Sequence, residues 1–114
     1  MRLLRFEDMD EYAPEGHQGV VNRLLLGLTN GGDGSLSIWH GRIEPGGHSD
    51  LHIHEDSLQV YVGLAGEMTV GDGEREALLN ELTTAVFEKG RRHFIANRTT
   101  LPAEVLVISV PGLR

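Results

Sequence analysis

Short apolar runs separated by glycine, proline and asparagine dominate the chain. Residues 20–28 are rich in Val and Leu and end at a stretch that contains Asn30 and three glycines, and residues 36–43 then alternate between apolar and polar side chains. A period of two, with turn residues at short intervals, is typical of β-strands. The same pattern predicts further strands over 51–54, 58–64, 67–70, 84–87, 93–97 and 103–110. We therefore expect an all-β barrel or sandwich.

Two segments leave the pattern ambiguous. Residues 74–82 consist largely of good helix formers, but they follow the hairpin-forming Gly71-Asp72-Gly73, so we predict a strand there. In residues 36–43, one face carries His40 and Arg42 and the other carries Trp39 and Ile43. If the His40 face points inward it forms a polar wall able to hold a carboxylate, and the pattern favours neither face.

Length and composition define the class of protein. With 114 residues and 12.5 kDa the chain suffices for one core. No linker or repeat divides it, so we predict a single domain with an N-terminal arm (1–19), a barrel (20–110) and a tail (111–114). The formal charge is −7, and no window clusters Lys or Arg, which argues against nucleic acid as a partner. The absence of Cys excludes disulfides, thiol nucleophiles and Cys-ligated metals.

The chain also lacks the signature of a membrane or secreted protein. Charged residues interrupt the first apolar positions before they could form a signal-peptide core, and no apolar stretch approaches the length of a membrane span. We therefore expect a cytoplasmic protein without a membrane partner.

Histidines provide the candidate chemistry. His52 and His54 are two residues apart, so in an extended segment they share a face with Cα atoms roughly 6–7 Å apart and could bind one metal ion. A turn at residues 55–57 could bring Gln59 to the same wall, and His93 could supply a third nitrogen from another strand. Taken alone, however, a His-x-His pair in a β protein is more often a surface or hydrogen-bonded pair than a ligand pair.

The residues around these histidines resemble the cupin superfamily. Its first motif is Gly, five residues, His-x-His, three or four residues, Glu, six residues, Gly; at these spacings the chain has Gly46, His52, His54, Gln59 and Gly66. Its second motif is Gly, five residues, Pro-x-Gly, two residues, His, three residues, Asn, which Gly90, His93 and Asn97 match. The chain departs from the pattern at three positions, with Gln59 for Glu, Leu82 for Gly and Glu88 for Pro.

The resemblance implies a small single-domain RmlC-like cupin whose fold is a double-stranded β-helix, the jelly-roll or cupin barrel. It implies one divalent transition metal per chain (Zn, Ni, Fe, Mn or Cu) on His52, His54, Gln59 and His93. The implied function is that of a metal-dependent enzyme, a dioxygenase or an isomerase or lyase, acting on a small oxygen-rich molecule. The alternative is a cupin that binds or senses a small molecule without catalysis. Cupins commonly pair, so a homodimer is expected, with residues 1–9 suited to an exchanged edge strand.

Gln59 changes the electrostatics of such a site. With four neutral ligands a divalent ion keeps its full double charge, which favours an anionic or enolate-forming molecule. Some small single-domain cupins, among them those that open unsaturated uronates, look similar in using Gln here. The alternative is a pocket that has lost its metal and binds a ligand through hydrogen bonds alone.

Further candidates for a catalytic role are weaker. His48 lies in the glycine-rich loop before His52 and could serve as a proton shuttle at the pocket mouth. His40 lies on the polar face of residues 36–43, together with Arg42. Tyr61 follows Gln59 by two residues, so it shares the same strand face. A solvated loop histidine and a packed core tyrosine are the simpler interpretations of His48 and Tyr61. Asn97 is predicted to fix a turn, and His17, in the N-terminal arm, is assigned no role.

Overall fold

The computed structural model describes residues 1–113, and within them the chain forms ten β-strands and two short 3-10 turns. The strands are β1 (Glu11–Tyr12), β2 (His17–Leu26), β3 (Ser37–Ser49), β4 (His52–Ile53), β5 (Leu58–Ala65), β6 (Met68–Gly71), β7 (Glu76–Leu79), β8 (Thr84–Phe87), β9 (Arg92–Ala96) and β10 (Ala103–Val110). The 3-10 turns are Phe6–Asp8 and Leu28–Asn30. No helix in this part of the chain has the length and apolar composition that a membrane crossing requires.

The strands pair antiparallel and curl into a nearly closed barrel. Along the main path the order is β7-β6-β9-β3-β10-β5-β8, while β2 joins β3 and β1, and β4 joins β9. The long strand β3 connects the two halves, because its first part pairs with β10 and its last part, at His48, pairs with β9. Pro45, which cannot donate a backbone hydrogen bond, lies where β3 changes partner. This architecture is the all-β jelly roll expected from the strand pattern.

Alternate residues of the central strands form the core. Trp39 and Ile43 of β3 point inward, 6% and 0% exposed, whereas His40 and Arg42 lie on the outer face. The structure therefore selects the apolar face of residues 36–43, which buries more hydrocarbon than its polar alternative would. The remaining core residues are Val20, Tyr61, Met68, Val70, Leu79, Phe87, Ile95, Ala103 and Val105.

The segment with helix-forming composition is a strand, as predicted. Glu76–Leu79 pairs antiparallel with Met68–Gly71 across the turn at residues 72–75. Asp72 fixes this turn, because its Oδ1 accepts hydrogen bonds from the backbone N–H groups of Glu74 and Arg75. Strand pairing and the burial of Leu79 outweigh the local helix propensity.

Three predicted strands have the wrong bounds: 20–28 is His17–Leu26, 36–43 is Ser37–Ser49, and 74–82 is only Glu76–Leu79. Strand β2 begins at His17 rather than residue 20, because a bulge at Gly19, with φ +64°, lets the pairing with β3 continue past it. Strand β3 continues to Ser49 rather than ending at residue 43. Its extension pairs with the segment around Asn97, since Gly46 N–H donates to Asn97 O and Asn97 N–H donates to Gly47 O.

Leu82 occupies the glycine position of the second motif in the conformation a glycine would take. Its φ is +60°, the only positive value for a non-glycine residue in the described chain. Its side chain is 77% exposed, so no packing compensates for the strain of the left-handed conformation. The motif geometry is thus retained without its usual residue.

Candidate metal centre

Strand pairing brings three histidines together. His52 of β4 lies directly opposite His93 of β9, and His54 follows two residues later. Their ring centroids are 4.2 Å apart for His52 and His93, 5.0 Å for His52 and His54, and 5.2 Å for His54 and His93. One ring nitrogen from each lies within 4.8 Å of the others, and no carboxylate belongs to this group among residues 1–113. Three imidazoles in this arrangement can bind one ion.

Backbone carbonyls fix the protonation pattern of two of these rings. His52 Nδ1 lies 2.7 Å from Asp50 O and His93 Nδ1 lies 3.1 Å from Arg91 O. A carbonyl oxygen only accepts hydrogen bonds, so each Nδ1 carries a proton, and in the neutral ring this leaves the lone pair on Nε2. His93 Nε2 is buried and has no hydrogen-bond partner. A metal ion would satisfy this nitrogen, so the donor set fits a divalent transition metal.

Burial favours the neutral form of His93 and His54. Desolvation lowers the pKa of His93 to about 4, since its ring is 1% exposed and stacks on Phe87 with centroids 4.9 Å apart. Desolvation also lowers the pKa of His54, with a smaller contribution from the charge of His52. Neutral imidazole is the form that binds metals, so His93 and His54 are in the ligating form at neutral pH.

Gln59 of β5 lies in the wall of the same cavity. Its side chain is 4% exposed, and its Nε2 donates a hydrogen bond of 2.7 Å to Ser109 Oγ on β10. This bond occupies the amide nitrogen and leaves the carbonyl oxygen Oε1 as the atom able to ligate a metal. Gln59 also lies opposite Phe87 in the pairing of β5 with β8, and Phe87 stacks on His93.

His52, His54 and Gln59 line an open cavity of about 260 Å³, and His93 lies buried behind them. Its lining is mixed. The polar and charged residues are Glu15, His17, Asn22, His52, His54 and Gln59, and the apolar and aromatic residues are Tyr12, Pro14, Val20, Trp39, Ile43, Tyr61, Ile95, Val105, Val107 and Leu113. This volume is slightly below the roughly 300–1,000 Å³ typical of small-molecule sites, so it suits a molecule of about one ring. A wider groove of about 320 Å³ lies between β7 and β8, but no histidine lines it.

The three weaker candidates fall in different places. His40 lies on the outer face of β3, where its Nε2 contacts Glu104 Oε1 at 2.8 Å and its ring meets the edge of Phe6. His48 also lies outside the cavity, on a shallow surface beside Phe94. Tyr61 lines the cavity, with its ring 5.8 Å from that of His93, and burial raises its pKa so that it stays protonated.

Asn97 fixes a turn, as predicted. Its Nδ2 donates to Ile43 O and Leu101 O, and its Oδ1 accepts hydrogen bonds from the backbone N–H and the hydroxyl of Thr99. The side chain is thereby fully used in holding the β9–β10 connection against β3.

Sequence reasoning missed His17. The early start of β2 places it opposite Ser49, so its ring lines the cavity 5.8 Å from that of His52. Its Nδ1 bonds Glu15 O at 2.8 Å, as in His52 and His93, and burial lowers its pKa. Only recognition of the Gly19 bulge could have extended the strand far enough to reveal it.

Known proteins share both the sequence pattern and the architecture. Residues 39–109 match the cupin domain family Cupin_2. The chain is 30% identical over 98 residues to the tetracenomycin polyketide synthase protein TcmJ of Streptomyces glaucescens, covering 86% of this chain but only 66% of that protein. The TT1209 structure from Thermus thermophilus is 28% identical, with a TM-score of 0.77 over 98% of this chain and 99% of that one.

A further solved structure agrees in fold. The polyketide cyclase RemF of Streptomyces resistomycificus has a TM-score of 0.85 at 18% identity, covering 96% of this chain and 79% of that chain. At this identity the likeness concerns the fold alone. Together with the family match over residues 39–109 and the two histidine motifs, it identifies the chain as a member of the cupin family.

Proposed function

We propose that this cupin is a metal-dependent enzyme acting on a small oxygen-rich molecule, with His52, His54, His93 and Gln59 holding one divalent transition metal. The observation that carries the proposal is the buried, unpartnered Nε2 of His93 within a cluster of three converging imidazoles. An unsatisfied buried nitrogen costs about 1–3 kcal/mol. Binding of an ion removes that cost, which explains why a folded chain retains the arrangement.

The donor set determines the kind of molecule that would bind. A divalent ion here would supply Lewis acidity, polarising a carbonyl or carboxylate oxygen of the bound molecule. All four donors are neutral, so none offsets the charge of the ion, and anions or enolisable carbonyl compounds are favoured. Nitrogen-rich donor sets suit Zn, Ni, Fe, Mn and Cu.

The rest of the cavity supports catalysis rather than binding alone. Much of the cavity wall is apolar, and Tyr61 in that wall stays protonated because burial raises its pKa. His17 adds a titratable group beyond the four ligands, which a purely binding pocket would not need. TcmJ, which is 30% identical over 98 residues, is named as a polyketide synthase protein, and polyketides are rich in carbonyl groups. We take this likeness to favour a carbonyl compound as the substrate.

The metal is tested first. The protein is stripped with a chelator and dialysed against Zn, Ni, Fe, Mn or Cu ions. Bound metal is then measured by mass spectrometry, and the melting temperature is recorded. Wild type should bind about one ion per chain and melt at a higher temperature when loaded, because an ion that binds only the native state stabilises it. His52→Ala should lose both the metal and the thermal gain. His48→Ala, which removes a histidine outside the cavity, should keep both.

Activity is tested on the loaded protein. Deuterium incorporation and oxygen consumption are followed with a panel of 3-oxo acids and catechols, which covers the isomerase or lyase class and the dioxygenase class. Turnover by wild type and none by His52→Ala supports the enzyme. Tight binding of these compounds without turnover would instead favour the non-catalytic sensor, and absence of metal uptake would contradict the whole proposal.

We further propose that the protein is a cytoplasmic homodimer that uses its N-terminal arm. Leu3 is 73% exposed and Phe6 is 43% exposed, although the arm touches its own barrel where the guanidinium of Arg23 lies 4.2 Å from the Phe6 ring centroid. Exposed apolar side chains of this kind are typical of an interface. Light scattering should give twice the chain mass for the full chain and the single-chain mass after deletion of residues 1–9; a monomeric full chain contradicts the proposal.

A further inference from the structure

Trp39 contains the second buried, unpartnered side-chain atom of residues 1–113. Its indole belongs to the inner face of β3, is 6% exposed and lines the cavity. Its Nε1 is buried without a hydrogen-bond partner, and among residues 1–113 the only other such side-chain atom is His93 Nε2. The two atoms are complementary, because Nε2 offers a lone pair and the indole N–H can only donate.

Strand pairing sets the distance between Trp39 and the histidines. Val107 of β10 lies opposite both Trp39 of β3 and Tyr61 of β5, so the three residues form one row across the sheet. Two strand spacings separate the backbones of Trp39 and Tyr61, which is about 10 Å. The Tyr61 ring in turn contacts His93. Trp39, His52 and His54 line the same cavity of about 260 Å³, so one small molecule bound there can contact both the indole and the histidines.

We propose that the indole N–H of Trp39 donates a hydrogen bond to an oxygen of the bound molecule and so selects its class. The inference rests on the proposed function, since the other end of the molecule is held at the histidines. The substrate class is a compound of about one ring that carries chelating oxygens at one end and a carbonyl, carboxylate or phenolic oxygen at the other. A donor that is buried without a partner disfavours molecules whose distal end is apolar, because they leave it unsatisfied.

The test uses two probes that differ only at the distal end. Catechol and 3,4-dihydroxybenzoate present the same chelating oxygens, but only the second carries a carboxylate on the opposite side of the ring. Calorimetry with zinc-loaded protein measures the affinity of each probe for wild type and for Trp39→Phe, which keeps a ring and removes the N–H. Zinc is chosen because it does not oxidise catechols and does not broaden nuclear magnetic resonances.

We expect Trp39→Phe to weaken binding of 3,4-dihydroxybenzoate by about 10- to 100-fold, the value of one buried hydrogen bond to a charged acceptor, and to leave catechol binding unchanged. Equal losses for both probes would show that the ring packs against the ligand without donating to it. That result overturns the inference, as does an unchanged affinity for both probes.

A second measurement does not depend on the variant. The chain contains one tryptophan, so its ¹H–¹⁵N spectrum has one indole cross-peak. This peak should move downfield with 3,4-dihydroxybenzoate and much less with catechol; equal movement contradicts the inference. If zinc and both probes bind but the peak does not distinguish them, the role of Trp39 fails while the metal-dependent function stands. If the protein takes up no zinc, the proposed function fails and the inference with it.

Discussion

Lowering the pH from 7 to 4 should destabilise the metal-free protein by about 3 kcal/mol through His93 alone. In the unfolded chain this histidine takes up a proton near pH 6.5, whereas in the folded barrel its pKa is lowered to about 4. Between these values the unfolded state holds more protons than the native state, so acid favours unfolding. The full stability is present above pH 6.5 and is lost as the pH falls towards 4.

The magnitude follows from proton linkage. One proton held by the unfolded chain and not by the folded chain changes the free energy of unfolding by about 1.4 kcal/mol per pH unit. Between pH 6.5 and about 4 this amounts to about 3 kcal/mol. Small domains are stable by about 5–15 kcal/mol in total, so the change is large enough to measure. His54 and His17, whose pKa values are also lowered, act in the same direction.

Urea unfolding of chelator-treated protein at pH 7, 6, 5 and 4.5 measures the effect, with the fluorescence of the single tryptophan as the signal. His93→Gln removes the titrating ring, and His48→Gln serves as the control for loss of a histidine outside the cavity. Wild type and His48→Gln should lose stability steeply below pH 6.5. His93→Gln should show a slope that is lower by up to about 1.4 kcal/mol per pH unit.

Parallel profiles for wild type and His93→Gln would refute the reasoning, because they would mean that the His93 ring is hydrated or protonated in the native state. Loading with zinc should steepen the wild-type profile, since protons and the ion then compete for the same nitrogens.

Two further predictions concern the departures from the family motifs. Leu82→Gly should stabilise the protein by about 0.5–1 kcal/mol in urea unfolding. The glycine relieves the left-handed backbone strain at φ +60°, and little packing is lost because the leucine side chain is exposed. A destabilised variant would contradict this explanation. Gln59→Glu should retain the metal and weaken the binding of 3,4-dihydroxybenzoate by about tenfold or more in calorimetry, because the added carboxylate offsets the charge of the ion. Tighter binding of the anion would show that ligand charge does not control affinity in this site.

Much of the fold could be predicted from local pattern. Alternation and turn residues located most strands, because one face of each is buried and the period of two follows directly from strand geometry. The spacing of His52, His54 and His93 located the cluster, because the two motifs occupy strands that the fold always pairs. Local pattern even predicted a strand within residues 74–82, since the preceding turn was recognisable, although the strand covers only Glu76–Leu79.

The remaining features depend on pairing between distant segments. The inward face of residues 36–43 could not be chosen from its own sequence, because the choice depends on how β3 meets β2 and β10. His17 was missed for the same reason, since the bulge that carries β2 past Gly19 is visible only once β3 is in place. Whether Nε1 of Trp39 has a hydrogen-bond partner depends on residues that are distant in sequence, so no local pattern predicts that it has none.

The position of β10 in the sheet constrains when the chain can fold. It lies between β3 and β5, both of which the ribosome makes earlier, and Ser109 pairs with Ser37, which precedes it by 72 residues. Until residues 103–110 have emerged, two central strands expose unpaired backbone edges that can recruit other chains. Contacts so distant in sequence also form slowly. Folding is therefore a late, all-or-none event in synthesis, and a chain that stalls before Ala103 is left in its most aggregation-prone state.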